Sequence, residues 1–355
     1  MQISEIDTPA LLIDLDVMER NIAKMARFCR ETGCNLRPHI KVHRTPAIAH
    51  KQIQAGAIGL TCAKVSEAEV MVASGIGDVL IANQIVGPTK VSRLAGMARH
   101  ARVAAAFDDA ANAEEVSREA LRQGSRVGAV IEVDLGMNRA GVQPGMPALA
   151  LARRIRDLPG LEFRGVMGYE GHLQKVERVG ERTEAVGRCL AQLASTARLL
   201  KEEGMECEIV SAGGTNSYAG TARAEGVTEI QAGSYVFMDV MHDIEGVDFE
   251  HSFTVLSTVT SRPARERAII DAGVKCFSEM KTMPRSTAPG IEVTALSEEH
   301  GSLALREGVD PRIGDTLSFY PYYAPTTVNL FDRFYCGRKD RVEIQWEILA
   351  RGKSQ

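Results

Sequence analysis

Two hydrophobic periods alternate along more than the first half of the chain. Apolar runs at residues 36–40, 59–63, 79–83, 103–107, 127–134, 163–169, 207–212 and 229–232 are short and nearly continuous, as strands buried on both faces must be. Between them, apolar residues recur at helical spacing. Asp16 is expected to cap a helix over 17–31 that Gly33 stops, and Gly204 to end another over 181–203. Strands each followed by a helix require right-handed crossovers between parallel neighbours. That leaves an open doubly wound sheet or a closed barrel, and eight strands favour the barrel. The predicted fold class is therefore α/β, with a (β/α)8 TIM barrel over residues 16–240.

Beyond residue 240 the texture changes. Runs at 253–261, 268–272, 291–295, 316–320 and 341–348 are rich in Val, Thr and Ser and follow one another without long helices, which predicts an antiparallel β domain. The leading segment, with its own apolar run at 11–15, is grouped with it. The second domain is thus expected to comprise residues 1–15 and 241–355.

Composition narrows the function classes. Of 355 residues, 45% are hydrophobic and 25% charged, the balance of an ordinary globular protein. Lys and Arg number 42 against 46 Asp and Glu, and the charges are interspersed, so neither nucleic acid nor an anionic membrane is an expected partner. With no long apolar run and a polar start at Met1-Gln2-Ile3-Ser4-Glu5, a cytoplasmic location is expected. The seven cysteines form no Cys-x-x-Cys pair and read as reduced structural thiols.

Four segments carry candidate chemistry. The first barrel strand ends in Arg37-Pro38-His39-Ile40-Lys41-Val42-His43-Arg44. A lysine at a barrel mouth beside like charges loses protonated character and becomes a better amine nucleophile for a Schiff base; a solvated basic loop is the alternative. Glycine-rich turns, Ser211-Ala212-Gly213-Gly214-Thr215-Asn216-Ser217 and Gln231-Ala232-Gly233-Ser234-Tyr235, follow the last two strands, where barrels commonly bind phosphate. Arg139, after strand five, offers a guanidinium for a phenolate oxygen, or for a helix-start salt bridge. Together they describe a pyridoxal 5'-phosphate site.

The stretches Asp7-Thr8-Pro9-Ala10-Leu11, 37–43, Lys64-Val65-Ser66-Glu67-Ala68, 134–142, Gly213-Gly214-Thr215, 231–235, 271–275 and Glu299-His300-Gly301 span essentially the whole chain. They resemble the D-threonine aldolase and D-serine dehydratase group of fold-type III pyridoxal phosphate enzymes, which join an alanine-racemase-like barrel to a β domain. The resemblance implies that Lys41 carries the cofactor, with His39 in the same segment, Arg139 by its phenolic oxygen and Tyr169 against its ring. Gly214, Thr215, Gly233, Ser234 and Tyr235 would form the phosphate cup. A homodimer is also implied, with Tyr323 reaching either its own or the partner's site.

The chain departs from the family near its C-terminus. Where the group reads Pro-Ser-His-x-Asp-Pro-Thr-x-Asn-Leu, with Cys for the Asp in the dehydratases, this chain reads Pro321-Tyr322-Tyr323-Ala324-Pro325-Thr326-Thr327-Val328-Asn329-Leu330. Tyr323 and Pro325 thus stand at the two metal-ligand positions, and no bound metal is expected. Glu170, followed by Gly171-His172, stands where aldolases of the group carry a basic histidine. Glu170, Tyr323 and His172 are the candidate replacements, and a structural Glu170 is the alternative. The expected activity is metal-independent cleavage of a small β-hydroxy-D-amino acid. Racemisation, β-elimination of the D-serine dehydratase kind and a cofactor-carrying homeostasis protein are the other readings, and the β domain argues against the last.

Overall fold

The computed structural model describes residues 1–278 and 281–355. The chain opens with β1 (Ala10–Asp14) and runs directly into a long helix, Leu15–Thr32. The cap of that helix is Asp14, in extended conformation with its Oδ1 3.0 Å from Val17 N, and not the expected Asp16. Asp16 lies one residue inside the first turn, where it pairs with Arg338. Gly33 ends the helix at a φ of 70°, a value a side chain disfavours.

Eight strands then form one parallel sheet: β2 (Asn35–Leu36), β3 (Leu60–Cys62), β4 (Asp78–Gln84), β5 (Arg102–Phe107), β6 (Val127–Val133), β7 (Leu161–Gly168), β8 (Ile209–Ala212) and β9 (Glu229–Ile230). Their spatial order is β2-β9-β8-β7-β6-β5-β4-β3. The edges meet through Ile58 N to Leu36 O at 2.9 Å, Thr61 N to Pro38 O at 3.0 Å and a parallel His39–Thr61 bridge, which close the barrel. Leu80, Ala104, Ala106, Val130, Met167 and Ile209 fill its interior. Alternate residues such as Val79, Ile81, Val103 and Ala105 pack outward against the helices, so both faces are apolar and the strands read as continuous runs.

The first and last strands are shorter than the sequence suggests. Pro38 has no N–H for the ladder, and after His39 the backbone tightens into a 3-10 turn, Ile40–Val42, whose Lys41 N donates to His39 Nδ1 at 3.3 Å. Lys41 therefore leaves from a turn at the barrel rim. At the opposite rim the buried Arg37 guanidinium lies 2.9 Å from Glu229 and also pairs with Asp78, while Arg164 reaches Glu208 at 3.0 Å.

The second sheet contains β1 together with β10 (Phe253–Ala264), β11 (Arg267–Ile270), β12 (Arg285–Ser286), β13 (Ile291–Leu296), β14 (Gly301–Leu305), β15 (Thr316–Tyr320), β16 (Arg333–Arg338) and β17 (Arg341–Glu347). It is antiparallel except that β1 pairs parallel with β16. β14 and β16 escaped the sequence reading because a glycine opens one, while the other carries arginines at both ends and Gly337 within. One apolar cluster runs from the helix Leu15–Thr32 through Val236 and Phe237 to Phe253 and Phe334, so barrel and β domain share a core. Among the described residues no helix is long and apolar enough to cross a membrane.

Candidate active site

The C-terminal ends of the barrel strands surround a cavity of about 310 Å³. Most of its wall comes from the ends of β4, β6 and β7 and from the turns after β8 and β9. Met241, His242 and Tyr323 enter it from chain beyond the last barrel strand.

Lys41 projects into this space from the 3-10 turn. Burial, with Arg139 beside it, holds its amine below the ordinary lysine range, and Glu67 offsets this only in part. Lys41 Nζ lies 6.0 Å from the centre of the Tyr169 ring and Arg139 Cζ 5.8 Å from the same ring, so the phenol is flanked by both cations. Burial above all raises the Tyr169 phenol, with Glu170 and Tyr323 adding to it. Arg139 is held by Glu132 at 3.5 Å, whose other carboxylate oxygen accepts from Gln84 Nε2 at 2.5 Å. His39 also lines the cavity, and burial followed by Lys41 keeps its imidazole pKa well below the usual value.

The two glycine turns are joined to each other, because Tyr235 N donates to Thr215 Oγ1 at 3.0 Å. Gly214, Thr215, Gly233 and Ser234 line the cavity, and among the described residues the N–H groups of Thr215, Gly233 and Ser234 have no partner. A Cβ at Gly233 would sit 2.4 Å from the His39 carbonyl oxygen, so only glycine lets this turn close against the lysine segment. Unpaired donors at the end of a cavity that also holds an amine suit a phosphate-bearing aldehyde. Tyr235 contributes only its backbone to this region: its hydroxyl faces away and accepts from Gln52 Nε2 at 2.9 Å.

Two further expected residues lie elsewhere. Glu170 is fully buried outside the cavity lining, accepting from Ser217 Oγ at 2.5 Å and Gly213 N at 3.3 Å. Burial raises its pKa, and those hydrogen bonds counter the rise. Its carboxyl braces the glycine turn through Gly213 and Ser217, and it is not among the residues lining the cavity. His172 is exposed, against Gly136, and is also outside the lining. Tyr323 is in the cavity of its own chain, with burial and then Asp239 pushing its phenol up to about 12. Replacing Glu170 by Gln keeps its shape and an acceptor oxygen, so turnover is expected to fall by less than about 10-fold. A general base there would instead give roughly 10²–10⁴-fold, and steady-state kinetics separates the two.

The sequence reading missed two polar groups. Glu132 is a single carboxylate inside the apolar run Val127–Val133, a visible signal. His242 is the other: its Nδ1 is 2.5 Å from Asp239 Oδ1, and the Asp-x-x-His spacing just after the second glycine turn was its only trace.

A family model for the alanine racemase N-terminal domain matches residues 13–240, and one for a serine dehydratase domain matches residues 252–337. The chain is 39% identical to a D-threonine aldolase of Arthrobacter sp, covering 99% of this chain and 95% of that one. The chain belongs to the D-threonine aldolase-like family of alanine-racemase-fold enzymes. A 3-hydroxy-D-aspartate aldolase of Paracoccus denitrificans (strain Pd 1222) is 33% identical over 99% of this chain and 94% of its own. The crystal structure of D-threonine aldolase from Filomicrobium marinum superposes with a TM-score of 0.96 at 37% identity, covering 100% and 98% of the two chains.

At the two positions where the resemblance implies a metal ion, this chain presents Tyr323 and Pro325. Tyr323 offers a phenol that burial keeps protonated, and the side chain of Pro325 has no donor atom. Among the described residues no group of three His, Cys, Asp or Glu side chains could hold a metal ion. These residues do not fit a divalent ion bound in the expected way.

Proposed function

We propose that this chain is a pyridoxal phosphate-dependent lyase that cleaves a small β-hydroxy-D-amino acid to glycine and an aldehyde. The observation that carries the reading is the Lys41 amine, held below its usual pKa on a cavity wall that also presents the unpaired donors of the two glycine turns. The two aldolases with which it shares 39% and 33% of its sequence along nearly its whole length support the reaction class.

Lys41 would hold the cofactor aldehyde, Thr215, Gly233 and Ser234 its phosphate, and Arg139 its phenolic oxygen. Bound there, the cofactor supplies an electron sink for the substrate Cα. Lys41, with a depressed pKa, gives and takes the Cα proton. Glu132 keeps the Arg139 guanidinium in place, and the Tyr169 ring centre lies 5.8 Å from that guanidinium and 6.0 Å from the amine. Cytoplasmic location and assembly as a homodimer belong to the same reading.

Purified protein supplied with the cofactor is expected to release glycine and acetaldehyde from D-threonine, or glycine and glyoxylate from D-3-hydroxyaspartate. Ammonia with a keto acid would make it a dehydratase, and deuterium uptake at Cα with inversion and no aldehyde would make it a racemase. Activity is expected to survive exhaustive treatment with EDTA. Loss of activity that Mn²⁺ restores would show that the Tyr323 and Pro325 argument is wrong.

A further inference from the structure

Cleavage of a β-hydroxy-amino acid needs a group that removes the hydroxyl proton, and of the expected candidates Glu170 and His172 are outside the cavity lining while Tyr323 presents a phenol whose pKa is raised. The structure assigns this role to His242: we propose that its Nε2 is the general base on the substrate β-oxygen, with Asp239 as its positioning residue. The inference rests on the aldolase reading and adds the group that the reading lacks.

His242 lines the same cavity as Lys41, and its side chain is 8% exposed. Its Nδ1 lies 2.5 Å from Asp239 Oδ1, and its backbone N lies 3.2 Å from the same oxygen. An ionised carboxylate can only accept, so Nδ1 carries the proton facing Asp239, and in the neutral imidazole the lone pair is on Nε2. Nε2 makes no hydrogen bond among the described residues. Asp239 is completely buried, and its Oδ2 accepts from Ala324 N at 2.8 Å. One carboxylate therefore fixes both the imidazole and the turn that carries Tyr323, whose ring stacks on His242 at 6.3 Å and 19°. The pair lies on the side of the cavity where Tyr323 enters, so a nitrogen base faces the same space as the Lys41 amine.

The step balances within the substrate and this residue. The β-oxygen gives its proton to Nε2, the C–O bond becomes a carbonyl, and the Cα–Cβ bond breaks with its electron pair left at Cα. A proton from Lys41 takes up that pair and yields glycine. The imidazolium then returns its proton to solvent.

Two measurements test this. In cofactor-free protein labelled with ¹⁵N-histidine, with the His242 signals assigned by their loss in His242→Gln, the Nδ1–H form is expected, and Asp239→Asn is expected to shift it toward Nε2–H. An Nε2–H form in the unsubstituted protein would overturn the proposal. In the loaded enzyme, His242→Gln is expected to lose aldolase turnover by about 10²-fold or more while exchanging the Cα hydrogen of glycine in D₂O within a few-fold of the parent, since that exchange involves no β-oxygen. Unchanged cleavage, or equal loss of cleavage and exchange, would overturn it. A parent enzyme that exchanges glycine but cleaves no β-hydroxy substrate rejects the aldolase reading itself, and this is seen before any substitution is made.

Discussion

Replacing Lys41 by Ala is expected to abolish the visible absorbance of the cofactor-loaded protein and to lower turnover by at least about 10²–10⁴-fold from the lost proton transfer alone. Among the described residues lining the cavity, Lys41 carries the one amine. Its neighbours make the effect specific: burial and Arg139 depress its pKa, so free amine persists to lower pH than it would on an exposed lysine. Loading of the parent protein should accordingly remain efficient near neutral pH and weaken only as acid protonates the amine. Spectrophotometric titration with the cofactor at several pH values checks the direction. An absorbance band retained by Lys41→Ala, at unchanged affinity, would remove Lys41 from this role. The orphaned donors of the glycine turns should still bind the phosphate weakly in that variant, which makes added free amines a reasonable rescue.

The largest stability effect is expected at the other end of the barrel. Arg37 and Glu229 are each about 2% exposed, 2.9 Å apart, and Asp78 pairs with the same guanidinium. Burial works against the Arg37 charge, but Glu229 and Asp78 outweigh it and raise its pKa. Arg37→Met leaves those carboxylates facing a low-dielectric interior without their cation, at a cost of roughly 3–5 kcal/mol. Adding Glu229→Gln should return part of that loss, because one stranded charge is removed with it. Denaturant unfolding of the cofactor-free proteins measures both values. A loss below about 1 kcal/mol for the single variant would show that water reaches the cluster and screens it.

The barrel was legible because its strands are buried on both faces. That burial demands unbroken apolar runs, and helical spacing between them leaves few topologies. The lysine segment, the glycine turns and Arg139 were legible for a different reason: each is a local sequence with special backbone or charge requirements. The direction of the Glu170 carboxyl was not legible, because its place beside Tyr169 says nothing about it. Glu170, two residues beyond the strand, leads into the turn Gly171–Leu173, and its carboxyl accepts from Ser217 and the Gly213 N–H. His242 was missed because its value depends on groups far along the chain. Asp239 is fixed by Ala324, 85 residues away, and that contact, together with Val240 N to Pro321 O and Met241 N to Tyr322 O, brings Tyr323 against the imidazole.

By itself, then, the amino-acid sequence determined the α/β barrel and the β domain beside it, and it marked the lysine segment, the glycine turns and Arg139 that meet at one cavity. All of these follow from local periodicity or from the identity of single residues. The tertiary structure alone decided which polar side chains share the cavity: Glu132, His242 and Tyr323 enter it, while Glu170 and His172 do not. Side-chain direction at a barrel rim is set by long-range hydrogen bonds and packing, which have no counterpart in the spacing of residues along the chain.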